Sequence, residues 1–149
     1  MRHVLVLAVL MGCGSDARLP DGSWLVTVTG LETDCTENLE GFQQTYTYQL
    51  FYDGSATEIQ INGEGFASGM TSGCSLSYDS AEWFEDDPNG EFRWQISGEV
   101  DYQGAAGGCT LPEDYDWYGV EVLTITESEN ESVPEDCTYQ MEITGQFQG

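Results

Sequence analysis

The chain has no lysine, one histidine (His3) and three arginines, so 3 basic residues face 27 acidic ones and the formal charge is −24 at pH 7. A surface this acidic repels phosphate backbones and anionic head groups, which argues against nucleic acid as a partner and leaves divalent cations as its natural counter-ions. With His3 the one imidazole, the body of the chain cannot assemble a Ser-His-Asp or Cys-His nucleophile or a histidine zinc site, and it has no lysine chemistry. Long apolar runs are missing as well. Residues 4–11 form an unbroken apolar stretch, far short of the ~20 residues that cross a bilayer. No cofactor is expected, and nothing in the sequence specifies a protein partner.

That short apolar stretch follows Met1-Arg2-His3 and ends in Leu10-Met11-Gly12-Cys13. An aliphatic residue at −3, a small residue at −1 and a cysteine at +1 resemble the lipobox of bacterial lipoproteins. The resemblance implies a signal peptide over residues 1–12, cleavage before Cys13, lipid on the Cys13 thiol, and a membrane partnership made through that lipid. By the same resemblance, the lack of Asp directly after Cys13 implies the outer membrane. Cysteine counting agrees, because five cysteines cannot all pair and setting Cys13 aside leaves Cys35, Cys74, Cys109 and Cys137. Residues 13–21 then read as a lipidated tether of small and polar residues with one proline, and residues 22–149 as a single domain.

Within that domain hydrophobicity alternates with period two nearly throughout. In the stretch from Glu91 to Tyr102 it puts Phe92, Trp94, Ile96, Val100 and Tyr102 on one face and Arg93, Gln95, Glu99 and Asp101 on the other. The same alternation runs through Trp24 to Val28, Tyr46 to Leu50 and Cys137 to Phe147. Asp53-Gly54 and Pro88-Asn89-Gly90 are hairpin signals. About eight strands are predicted, at 22–31, 43–53, 56–62, 64–70, 73–80, 90–103, 118–127 and 136–147, with 81–85 able to extend the fifth.

Tight reversals make the strands an antiparallel meander, and one dry face per strand requires either a closed or curled barrel or, as the alternative, a β-sandwich. Gly22-Ser23-Trp24 resembles the Gly-x-Trp start of lipocalin-type barrels, where the tryptophan closes one end. Four cysteines allow three pairings. Closure of an even-stranded meander sets the end of the first strand beside the start of the last, which favours Cys35–Cys137 and leaves Cys74–Cys109.

Three groups of side chains could carry chemistry. Tyr46, Tyr48, Trp94 and Tyr102 could line a ligand cavity, although the same spacing serves an ordinary β core. Glu85, Asp87 and Asn89 place oxygens at alternate positions as in a calcium loop. Counting from Glu85, however, the twelfth position is Ile96, where an EF-hand needs a glutamate, so an acidic hairpin turn is the better reading. Glu113-Asp114-Tyr115-Asp116-Trp117 is a second acidic cluster, better read as a solvated loop.

The expectation is a non-enzymatic, lipid-anchored envelope protein with a binding or structural role. The alternatives are a lipocalin-like carrier of a small hydrophobic ligand or a carboxylate-dependent glycoside hydrolase. Mass spectrometry of the membrane-extracted protein should find a chain that starts at Cys13 with a thioether-linked diacylglyceryl group; an unmodified thiol, or residues 1–12 still attached, would refute the anchor.

Overall fold

The computed structural model describes residues 20–54, 56–103, 111 and 115–149. The signal stretch, Cys13, most of the tether, Cys109, Glu113 and Asp114 lie outside the described residues. Nine strands are present: β1 (Gly22–Thr33), β2 (Gln43–Tyr52), β3 (Ala56–Ile61), β4 (Glu64–Ser72), β5 (Ser75–Ser80), β6 (Trp83–Asp87), β7 (Gly90–Tyr102), β8 (Trp117–Ser128) and β9 (Thr138–Phe147). There is no helix among the described residues.

Each strand pairs antiparallel with its neighbours, β1 pairs with β9, and β5 pairs with β7, so the meander closes into an eight-stranded barrel with β6 as an extra strand. β5 and β6 share one edge of β7: β5 covers Ser97 to Asp101 and β6 covers Gly90 to Trp94. Between them the Ser80 hydroxyl accepts the Ile96 amide hydrogen, and the Ser80 carbonyl accepts a bond from the Gln95 side chain. β6 is thus the extension of the fifth strand, displaced by one irregularity at Ala81-Glu82. The reversal between β3 and β4 is Asn62-Gly63, with φ of 56° and 81°, a conformation Asn and Gly tolerate and the right-handed twist of a hairpin favours. A sandwich is excluded by the continuous ring of pairings.

The two ends of the barrel differ. At one end Trp24, Leu50, Leu76, Val100, Tyr102 and Trp117 are fully buried, and the Trp24 ring meets Trp117 at 5.5 Å and Phe147 at 5.1 Å between centroids. The first and last described residues meet here: the Ser23 amide donates to the Gly149 carbonyl, and the Trp24 indole donates to the Pro20 carbonyl. The Gly-x-Trp tryptophan therefore closes this end. At the opposite end Cys35 and Cys137 form a disulfide, with Cα atoms 5.1 Å apart, where β1 ends and β9 begins. Around it the Thr33 hydroxyl donates to the Thr138 carbonyl, and Asp34 Oδ1 accepts the Thr138 amide and hydroxyl hydrogens. These bonds hold the Asp34 carboxyl below its usual range. Cys74, at the packed end, is also disulfide-bonded.

One row of the barrel interior sets up the site. Across adjacent strands Gly69, Tyr78, Gly98, Glu121 and Met141 stand in register. Tyr78 is flanked on both sides by glycine, and a Cβ on Gly98 would fall 2.1 Å from the Tyr78 Cζ. The ring lies over the Gly98 backbone, which lets it reach across β7 to β8. Gly98→Ala should cost about 1–3 kcal/mol by displacing that ring, whereas Gly65→Ala, whose Cβ meets nothing within 4 Å, should be close to neutral; equal effects in thermal melts would refute this packing.

Candidate functional site

β8 alternates Trp117, Gly119, Glu121, Leu123 and Ile125 toward the interior, so strand periodicity alone carries a glutamate into an apolar barrel. Glu121 is 2% exposed. Its Oε1 accepts two hydrogen bonds, one from the Tyr48 hydroxyl at 3.1 Å and one from the Tyr78 hydroxyl at 2.5 Å. Tyr48 comes from β2 and Tyr78 from β5, so the three residues form a polar crossbar through the barrel. Oε2 accepts no hydrogen bond among the described residues.

Burial pushes the Glu121 carboxyl above its ordinary value of 4.5, with the two tyrosine bonds acting in the opposite direction. Burial, and then the nearby Glu121 charge, push the Tyr48 and Tyr78 hydroxyls up, so both remain protonated donors. Tyr46 is raised in the same way, first by burial and then by Glu121.

On one side of the crossbar lies the packed tryptophan end, with the Trp117 ring 6.2 Å from both Tyr48 and Tyr78. On the other lies a cavity of ≈ 590 Å³ that opens toward the disulfide end. Glu121 and Tyr48 are at its base, and its aromatic wall is Phe42, Tyr46, Phe66, Trp83 and Trp94. Trp83 and Trp94 stack with centroids 5.7 Å apart and ring planes 14° apart, which makes a flat apolar panel near the mouth. The buried Trp83 indole nitrogen has no hydrogen-bond partner among the described residues. Asn62 and Glu64 supply polar groups beside the β3–β4 turn.

The structure brings three of the four expected aromatic residues, Tyr46, Tyr48 and Trp94, to one cavity. Tyr102 does not line it. Although it shares a face of β7 with Trp94, it sits at the packed end, fully buried, and its hydroxyl donates to the Gly73 carbonyl at 3.0 Å. The calcium-like residues Glu85, Asp87 and Asn89 form the β6–β7 hairpin. There Asp87 Oδ1 accepts bonds from the Asn89 amide, the Asn89 side chain and the Asn130 side chain, which is the acidic-turn reading. Of the second acidic cluster, Asp116 accepts the Phe147 amide hydrogen and Trp117 belongs to the core.

Glu121 was not singled out from the sequence. Its signal was its phase: it falls between Trp117 and Leu123 on the dry face of a strand. Compared with known protein families, with curated proteins and with solved structures, the chain matches none.

A carboxyl held above its unfolded value contributes most to stability while it is protonated. The contribution is lost as pH rises from the ordinary value toward the raised folded value. Glu121→Gln keeps an acceptor for both tyrosines and cannot ionise, so its melting temperature relative to the parent should climb between pH 4 and pH 8. Glu121→Leu orphans two buried hydroxyls and should destabilise by about 2–4 kcal/mol at pH 5. A pH-independent difference for Glu121→Gln would contradict the burial of this carboxyl.

Proposed function

We propose that this protein is a non-enzymatic, lipid-anchored envelope protein that binds a small, mainly apolar ligand inside its barrel. The observation that carries the binding role is the ≈ 590 Å³ aromatic cavity, because that volume suits a small molecule and a packed core would have filled it. The anchoring half of the reading rests on Leu10-Met11-Gly12-Cys13 and on the even cysteine set that remains once Cys13 is lipidated.

The geometry favours binding over glycoside hydrolysis. Hydrolysis requires two carboxyls set across a scissile bond, whereas Glu121 is held by two tyrosines at the base of the cavity and Glu64, the other carboxyl on its lining, is exposed beside the β3–β4 turn. A lipocalin-like carrier is the specific form of binder that the closed meander and the tryptophan-sealed end support. Anchoring to the outer membrane remains the reading that follows from the residue after Cys13.

Titration with the neutral apolar dye N-phenyl-1-naphthylamine should give saturable one-site binding, with energy transfer from Trp83 and Trp94 into the dye. Ile96→Trp, which fills the cavity wall, should weaken that binding at least tenfold while leaving the β-sheet circular dichroism in place. Absence of saturable binding, or binding indifferent to the filled cavity, would defeat the carrier reading.

A further inference from the structure

The chemistry at the base of the cavity narrows the ligand class, and this step rests on the carrier reading above. Glu121 combines a buried position on the cavity wall with an unequal use of its two oxygens. Both tyrosine donors converge on Oε1, while Oε2 has no donor among the described residues. A carboxylate in a low-dielectric site gains from a charge-assisted partner on its free oxygen, and the cavity gives such a partner access to it. The described residues offer none: Arg93, the basic side chain among them, points away from the interior and pairs with Glu82 at 2.9 Å and Glu127 at 3.2 Å.

We propose that the barrel selects lipophilic amines, seating a protonated ammonium against the free oxygen of Glu121 and the apolar body against the aromatic wall. Four independent features converge on a cation. The carboxylate supplies the counter-charge. The aromatic rings that line the same cavity, Phe42, Tyr46, Tyr48, Phe66, Trp83 and Trp94, present π faces that attract ammonium groups as well as alkyl chains. Glu64 at the cavity adds negative charge, and the whole chain, at −24, raises the local concentration of cations while repelling anions. Finally, a fatty-acid carboxylate would enter with no basic residue on the wall to neutralise it. The neutral donors on that wall, the Trp83 indole and the Asn62 side chain, are far weaker than a guanidinium. Tyr48 and Tyr78 are positioning residues: they fix the carboxyl plane and consume Oε1, which directs Oε2 to the ligand.

The test uses the intact protein and three probes with the same alkyl chain: octylamine, octanol and octanoate, each titrated calorimetrically at pH 7 in moderate salt. Octylamine should bind at least tenfold tighter than octanol, and octanoate weakest of the three. Glu121→Gln should lower octylamine affinity at least tenfold and remove the preference over octanol. Because a variant can fold poorly, the parent protein supplies a second readout. The groups facing Glu121 are Tyr48 and Tyr46 from β2 and Tyr78 from β5, with Glu64 from β4 on the same cavity. The tyrosines stay protonated, so octylamine affinity should rise with pH as Glu121 ionises, up to the point near pH ~10 where an alkylammonium loses its proton. Octanol affinity should stay level. Equal binding of octylamine and octanol, tightest binding of octanoate, or octylamine binding that does not rise with pH would overturn the amine assignment and leave the carrier reading standing. Failure of all three probes to bind would overturn both.

Discussion

Backbone hydrogen bonds between β1 and β9 and between β5 and β7 turn a linear meander into a ring, and every property of the interior follows from that closure. A ring has no free strand edge except where β6 leaves it, and it gives each strand's dry face the same destination. Its lumen has a limited cross-section. Side chains large enough to span it fill it, and those that do not leave space, so the distribution of tryptophan and tyrosine along the strands decides where the barrel is solid and where it is hollow.

The Tyr48–Glu121–Tyr78 crossbar marks the boundary between those two regimes. Below it, Trp24, Trp117 and Tyr102 leave no room. Above it, the aromatic residues lie against the wall. A barrel core could be sealed throughout with aliphatic side chains at lower electrostatic cost, since a buried carboxyl raises its own pKa and loses hydration. Retaining one here, with two tyrosines supplying donors and two glycines making room for one of their rings, is a costly arrangement that fixes a polar group at a defined height. That cost is the physical reason for reading the crossbar as part of a site rather than as packing.

Much of the architecture was legible in the residues. Alternation from Glu91 to Tyr102 located β7, and the hairpin signals at Asp53-Gly54 and Pro88-Asn89-Gly90 fell at real reversals. The closure argument from an even strand count brought Cys35 to Cys137. Two things were not legible. Period two assigns a residue to a face but gives no height along the barrel axis, so Trp94 and Tyr102 read alike although one lines the cavity and the other is deep in the packed end. Glu121 was hidden for a different reason: with 27 acidic residues in the chain, one carboxylate in phase with Trp117 looks like background until the strand's neighbours show which face is dry. β6 stood out little because Ser80, Ala81 and Glu82 break the alternation at the point where the fifth strand resumes.

Where the polypeptide joins the barrel has a geometric consequence. Pro20 touches Trp24, at the solid base, whereas the opening faces the other way, beside the disulfide. The eight residues 13–20 can extend at most about 28 Å, and β1, with 12 residues tilted in the barrel wall, rises by about 30 Å from base to rim. A barrel fastened at position 13 would stand on its plugged foot with its rim turned outward. Cargo would then be exchanged with the aqueous surroundings instead of being drawn sideways from the lipid beneath.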